Sequence, residues 1–212
     1  MFQLISPYFC IVKRTSTATI LYILIAATEL LGGGFETNTK TVSGTGMAGA
    51  QVAISQTSSA AVFNPAAIGF LPKKMMFSAG ISGIISKTSY FETGMENYNS
   101  SHPSKFLPAF SATLQINEMI SAGLAYYSSF GYHHRWEDTW PGRFVTIESE
   151  LAVNALQPSV SFTFAEMFAV SASALLHNGN YEHRKALATG ANEGEAALNG
   201  NGSGMGFMLG SF

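Results

Sequence analysis

The sequence predicts an all-β protein: an antiparallel up-and-down β-barrel that crosses an outer membrane, with an export signal and a plug ahead of the first strand. Segments of about ten residues alternate between apolar and small polar side chains after residue 72, long enough to cross a bilayer at a tilt. The connections are alternately short and long. Only 11% of the 212 residues are charged, against roughly 25% in an ordinary soluble domain.

Composition also argues against several classes of protein. The net charge of -2 comes without a basic stripe, so no nucleic-acid partner is expected. No apolar run reaches the roughly 18 residues of a membrane helix. Cys10 is the only cysteine and precedes the apolar leader, which leaves a mature chain with no thiol nucleophile or thiolate site. We expect no enzyme activity, no cofactor and no metal.

Residues 1–34 have the order of a secretory signal. Lys13 and Arg14 precede an apolar run from Ala18 to Ala27, and small residues follow to Gly34. A buried helix is the alternative. Residues 35–72 do not alternate and are rich in Gly, Ala, Ser and Thr, which indicates a compact plug, or hatch, before the first strand. Within it Asn64-Pro65 is a turn-forming pair.

Residues 73–212 hold about six predicted strands. Successive side chains of a strand point to opposite faces, so Ile81, Leu114, Leu124 and Val170 are expected to face lipid, each from the apolar side of its segment. In the fourth strand the apolar side changes from odd to even positions, and a bulge near Gln157-Pro158 would explain this change.

The connections sort by length in a way that favours a membrane barrel. Two are tight, at 117–118 and 165–166, and three are long, at 87–105, 133–146 and 178–202. Barrels of the outer membrane have short turns on one side and long loops on the other. A soluble secreted β-sandwich gives the same alternation, but has no reason to sort its loops.

An aromatic cluster lies near one strand end, formed by Tyr126, Tyr127, Tyr132, Trp136 and Trp140. An interfacial girdle explains it, and contact with an apolar ligand is the alternative.

Four segments resemble the FadL/OmpP1/TodX family of outer-membrane transporters of hydrophobic compounds, its Bacteroidetes-type members most. They are residues 34–35, residues 44–49 with the Phe-Asn-Pro-Ala motif at 63–66, residues 136–144, and residues 156–162 with 198–207. The likeness covers nearly all of residues 34–212, and the order and spacing of the segments carry it.

The resemblance implies a fourteen-stranded barrel in the bacterial outer membrane, of which this chain is the N-terminal half. It further implies transport of long-chain fatty acids or neutral hydrocarbons, with membrane lipid and a hydrophobic small molecule as partners and a monomeric full-length protein. A fragment of six strands is expected to be inactive alone, because its two edges are unpaired. A related barrel of the PorV type, used in protein secretion or surface attachment, is the alternative.

The resemblance also assigns site residues. Phe35, Asn64, Pro65 and Ala66 correspond to the pocket-lining end of the hatch and its Asn-Pro-Ala turn. A plain turn is the alternative for Asn64. The family's lateral exit lies at a kink in the third strand, which corresponds to Ser128, Ser129, Phe130 and Gly131. Glycine marks bends and bulges in strands, although it also fits a crowded wall.

His177 is the remaining candidate for ligand contact. It points to the lumen by parity and could pair with a carboxylate when protonated; a histidine at the loop mouth is the alternative.

Two further motifs give little support for a cofactor or metal site. Gly44-x-Gly46-x-x-Gly49 resembles a dinucleotide fingerprint but follows an export signal. His133 and His134 point to opposite faces of a strand, which argues against a shared metal.

Overall fold

The computed structural model of the chain describes residues 36–37, 40–53, 56–94, 97–101, 104–165, 167–190 and 192–212. The predicted signal, residues 1–34, and Phe35 lie outside the described residues. We refer to residues 35–72 as the hatch segment.

A six-stranded antiparallel sheet forms the wall, and strands that follow one another along it are hydrogen-bonded neighbours. Its order is β1, β4, β5, β6, β7, β8, and a small separate hairpin forms β2 and β3. The strands are β1 Met75–Ile84, β2 Ser89–Tyr90, β3 Tyr98–Asn99, β4 Lys105–Gln115, β5 Ile120–Arg135, β6 Glu148–Phe164, β7 Phe168–Thr189 and β8 Asn192–Ser211. The hatch segment contains α1 Val42–Gly46, α2 Ala60–Phe63 and a 3₁₀ helix Pro65–Phe70.

The two faces of the sheet differ in chemistry and in burial. The outer face exposes large apolar side chains, and the predicted lipid-facing residues Ile81, Leu114 and Leu124 are among them. The inner face carries small polar side chains that are buried, namely Ser111, Thr113, Ser121, Ser159, Ser161, Thr163, Ser171 and Ser173. An apolar surface turned outward is stable in lipid, so the alternation confirms the barrel wall.

The hatch segment covers the inner face. The 3₁₀ helix contacts every strand from β4 to β8, and α1 contacts β1. Gly123 of β5 permits this close packing, because a Cβ at that position would lie 2.5 Å from Ser159 Oγ and 3.2 Å from Ala61 Cβ. A side chain there would push the hatch segment away from the wall.

The tight connections lie at one end of the sheet, which we call the turn end. In the β4–β5 turn, Asn117 Oδ1 accepts hydrogen bonds from the backbone N–H groups of Met119 (2.9 Å) and Ile120 (2.7 Å). In the β6–β7 turn, Ala165 adopts a left-handed conformation with φ 49°. These local features explain why two very short connections suffice.

At the opposite, loop end, the predicted long loop over residues 178–202 is wrong. β7 continues to Thr189 and β8 starts at Asn192, so this connection is a hairpin turn. Beyond the bilayer both faces of a strand can meet water, and apolar alternation is then not needed. The pairing of β7 with β8 holds the segment in strand form, helped by the ion pair between Arg184 and Glu195 at 2.6 Å.

The bulge expected near Gln157-Pro158 is also wrong. β5 and β6 keep one register from Ile120↔Phe162 to Ser128↔Asn154, and the shift falls between Ser128 and Phe130 of β5. The apolar side of β6 changes because Leu151 and Val153 belong to the inner face. A Cβ at Gly179 would contact Val153 Cγ2 at 3.2 Å, which places both on that face.

Within the described residues, the structure has no helix of the length and apolarity needed to span a membrane.

Candidate lateral opening and hatch contacts

The junction between β4 and β5 has no strand pairing over its upper half. The two strands pair from Gln115↔Ser121 up to Ala109↔Tyr127, and above that pair residues 105–108 and 128–135, all of them described, are not paired with each other. The pairing ends where β5 has its register shift against β6. The four residues 128–131 assigned from the family resemblance therefore lie at a real irregularity of the strand.

The upper part of β5 passes inside β4. Leu107 and Lys105 share the inner side of β4 with Ser111, and Leu107 is only 2% exposed. A Cβ at Gly131 would lie 3.5 Å from Leu107 Cδ2 and 3.7 Å from Lys105 Cε. Gly131 pairs with Ala152, so that Cβ belongs to the outer side of β5. The outer side of β5 thus lies against the inner side of β4, and the wall has an overlap in place of a continuous sheet.

The start of the hatch segment covers the backbone that the irregularity leaves free. Thr37 donates from its backbone N–H to the Ser129 carbonyl (3.0 Å), and its hydroxyl contacts the carbonyls of Ser128 (2.9 Å) and Ser129 (3.2 Å). Glu36 forms an isolated bridge with Phe130. Buried backbone groups must find partners, and in this wall residues 36–37 supply them.

Lys105 fastens the overlap at its upper rim. Its ammonium donates to Glu150 Oε1 at 2.9 Å and to the backbone carbonyl of Leu151 at 2.8 Å. The bonds run from β4 across to β6, past the inserted part of β5. The ammonium group of Lys105 therefore stabilises the contact between β4 and β6.

Asn64 joins two parts of the molecule that are far apart in sequence. Its Oδ1 accepts from the Ala66 N–H (3.2 Å) and begins the 3₁₀ helix, while its Nδ2 donates to the Ser211 carbonyl of β8 (3.0 Å). Pro65 occupies the first turn of that helix, where its missing N–H costs nothing. Ser161 of β6 donates to the Ala66 carbonyl at 3.1 Å. Asn64 is thus a turn residue and a contact to the wall at once.

Gln157 is a hatch contact that sequence reasoning did not find. Its side chain is fully buried, its Nε2 donates to the Ala61 carbonyl (3.0 Å), and its Oε1 accepts from the Tyr127 hydroxyl (2.8 Å). The sequence feature that could have indicated this contact is a glutamine on the inner side of a strand, between apolar neighbours. Ser58 makes a similar contact to β4, where it donates to the Ser111 carbonyl at 3.2 Å.

His177 faces the inner side of β7, as its parity predicts. Its Nδ1 is buried and has no hydrogen-bond partner among the described residues. A separate cavity of about 290 Å³ lies between the hatch segment and strands β1 and β4, and Val42, Ser59, Gly80 and Ala109 are among its lining residues. The structure therefore holds a free polar atom and an apolar space on the inner side of the wall.

The five aromatic residues of the predicted girdle take different positions. Tyr126 is exposed on the outer face, whereas Tyr127 is buried on the inner face. Trp136 and Trp140 lie in the β5–β6 connection and stack on each other with ring centroids 4.3 Å apart. Tyr90 of β2 meets the Trp140 ring edge-on at 5.8 Å. The tryptophans thus pack two long connections together.

Charged residues concentrate at the loop end. Glu148 accepts from His133 at 2.9 Å and from Arg184 at 2.8 Å. Arg143 contacts Glu193 at 2.6 Å, and its guanidinium hydrogen bond holds the pKa of Glu193 below its usual range.

No group of His, Cys, Asp or Glu residues within the described ranges could hold a metal ion. Gly44 and Gly46 lie in the short helix α1.

The antiparallel sheet, with its apolar outer face and its covered inner face, defines the class of protein. It is a β-barrel protein of the outer membrane whose inner face is covered by an N-terminal hatch. The family model that matches residues 23–212 is described as outer membrane protein transport protein (OMPP1/FadL/TodX). The chain belongs to this family, which places it in the bacterial outer membrane.

A solved structure has the same fold. The crystal structure of a Pseudomonas aeruginosa FadL homologue matches with a TM-score of 0.66 and 18% identity, over 84% of this chain and 49% of that chain. The present chain thus spans about half the length of that protein. A search of curated proteins found no match.

Proposed function

We propose that this chain supplies the hatch and six strands of a larger closed barrel that transports hydrophobic compounds across the outer membrane. The ligand leaves sideways, between β4 and β5, into the lipid layer. The observation that carries this proposal is the unpaired upper half of that junction, where residues 36–37 provide hydrogen-bond partners for the β5 backbone.

A lateral route suits an apolar ligand. Lipid cannot satisfy free backbone groups, so a gap in a wall needs a cover that belongs to the protein. Residues 36–37 are such a cover, and they are continuous with the hatch segment. A shift of the hatch that draws Thr37 away from Ser128 and Ser129 opens the junction. The ligand then passes from the lumen to lipid without entering water.

The substrate class is a long-chain fatty acid or a neutral hydrocarbon. A fatty acid needs a partner for its carboxylate. Lys105 is bonded to Glu150. His177 on β7 is an inner-face candidate, because its Nδ1 has no hydrogen-bond partner among the described residues. Parallel uptake of a radiolabelled fatty acid and a radiolabelled alkane decides between the two classes.

Gly131→Arg in the complete barrel tests the route. The new side chain projects into the overlap, next to Leu107 and Lys105, and blocks the passage. We expect uptake to fall to background while the purified barrel still binds the ligand. Gly194→Arg is the matched control, because it lies at the β7–β8 tip near Thr189 and far from the junction. Uptake at the unmutated level, with folded protein in the membrane, would exclude lateral exit.

A further inference from the structure

The outer face of β6, β7 and β8 has a sharp chemical boundary. No register shift occurs along these strands, so residues that lie opposite one another share a face. Cross-strand neighbours on the outer face form rows. Leu156, Leu176 and Met205 form the last apolar row toward the loop end.

The three rows above it are polar except for Ala152. In order toward the loop end they are Asn154, Asn178 and Ser203; then Ala152, Asn180 and Asn201; then Glu150, Glu182 and Asn199. We call these nine residues the amide strip. All are exposed or half-exposed, and a shallow cavity of about 420 Å³ is lined by its upper two rows.

The functional groups of the amide strip suit neutral hydroxyl groups. A side-chain amide both donates and accepts, as a sugar hydroxyl does. The strip contains no Lys or Arg, so it lacks the cations that bind phosphate. Glu150 is bonded to Lys105. The cation of the next row, Arg184, is bonded to Glu148 and Glu195.

The position of the amide strip indicates how such a sugar arrives. The first polar row lies two residues beyond the apolar row on each strand, or about 7 Å at the usual rise of a strand. In outer-membrane barrels the short turns lie at the periplasm. The amide strip lies toward the other end, the loop end, and therefore at the outer leaflet. A molecule with acyl chains and an uncharged sugar headgroup matches both surfaces.

We propose that the amide strip binds the sugar headgroup of an outer-leaflet glycolipid, whose acyl chains lie on Leu156, Leu176 and Met205. The glycolipid is bound on the outside of the wall, and the proposal does not depend on transport through the lumen. Its contribution is to fix the wall at a defined depth next to the β7–β8 hairpin.

The test uses a reporter in the row above the amide strip, where Ala197 of β8 is exposed and lies opposite Arg184. The complete barrel, with Cys10→Ser and Ala197→Cys, is labelled with an environment-sensitive dye and placed in phosphatidylcholine vesicles. Digalactosyl diacylglycerol is the probe, and diacylglycerol, phosphatidylglycerol and free digalactose are the comparisons. We expect a saturable emission shift with the glycolipid alone. Asn180→Ala with Asn201→Ala should weaken it by about tenfold, as the loss of two hydrogen-bonding groups implies.

The matched control is Asn97→Ala with Asn192→Ala, which removes one amide just before β3 and one at the start of β8, both outside the strip. It should leave the titration unchanged, with strand content by circular dichroism equal in all variants. An equal shift with diacylglycerol, or equal binding by the Asn180/Asn201 double variant, overturns the proposal. Equally tight free digalactose indicates a site for soluble sugar, and a stronger response to phosphatidylglycerol an anion surface. Either result also overturns it.

Discussion

Two junctions of the same wall differ sharply in length. β7 and β8 pair without interruption from Val170↔Ser211 to Thr189↔Asn192, twenty residue pairs in all. β4 and β5 pair only from Ala109↔Tyr127 to Gln115↔Ser121, which is seven. Both are antiparallel neighbours in one sheet. The sequence of β5 itself is long enough to continue, since the strand extends to Arg135.

The difference shows what allows a barrel wall to open. At β7–β8 each strand is the hydrogen-bonding partner of the other. At β4–β5 the neighbour is replaced by Thr37 of the hatch segment, which serves two carbonyls of β5 through one N–H and one hydroxyl. A partner that belongs to the hatch can be withdrawn when the hatch moves, whereas a neighbouring strand cannot. The following three predictions test this distinction.

The largest effect is expected from a charge placed in the lipid-facing wall below the opening. Leu114→Arg, on the outer face of β4, should cost about 2–4 kcal/mol if the side chain lies near the bilayer midplane, because lipid does not solvate the guanidinium. The fraction of folded barrel, measured by its heat-dependent electrophoretic mobility, should fall accordingly. Asn180→Arg is the control on the outer face of β7, above the apolar rows, with an expected cost of about 0–1 kcal/mol. Equal losses in the two variants would show that the wall is not in lipid as described.

A smaller effect is expected where the hatch segment packs on the paired half of β5. Gly123→Leu places a side chain against Ser159 and Ala61, and such overpacking costs about 1–3 kcal/mol. The hatch should then become accessible to protease in intact membranes while the strands persist. Gly83→Leu is the control, since a Cβ there meets only Phe106, at 3.7 Å. Unchanged protection of the hatch in Gly123→Leu would contradict its position against the inner face.

The smallest effect is expected at the cover itself. Thr37→Val keeps the shape of the side chain and removes the hydroxyl that contacts Ser128 and Ser129, at a cost of about 1 kcal/mol. Amide hydrogen exchange should rise in residues 128–131 and stay constant across β7–β8. Thr45→Val is the matched control, because that hydroxyl donates to the carbonyl of Thr41, the residue that caps α1. Unchanged exchange near Ser128 would mean that something other than residue 37 seals the junction.

Much of the wall could be predicted from the sequence because lipid enforces a simple alternation. The outward positions of Ile81, Leu114 and Leu124 are confirmed, and so is the antiparallel wall of a barrel, which is not closed by these six strands. The continuation of β7 and β8 was missed because Asn- and Gly-rich strands above the bilayer carry no apolar period. Their cross-strand pairs, such as Asn180↔Asn201, become visible only in the register.

The candidate site was less accessible to sequence reasoning. The position of the irregularity in β5 could be placed at residues 128–131 from family resemblance. The residue that bonds the β5 backbone at this irregularity could not be predicted, because Thr37 lies 91 residues from Ser128 and no local pattern connects them. The sequence pattern likewise did not predict the contact of the Gln157 amide with the hatch. The roles of Phe35, Asn64 and His177 in transport stay predictions.

The contact between Asn64 and Ser211 has a consequence for biogenesis. The two residues are 147 positions apart, so this contact cannot form until the sixth wall strand, β8, has been added. Closing so long a loop is slow compared with forming adjacent hairpins. The hatch contacts to β4, β5 and β6 do not depend on β8. An assembly intermediate that lacks β8 is therefore expected to hold the hatch by those contacts alone, with Asn64 not yet bonded to the wall.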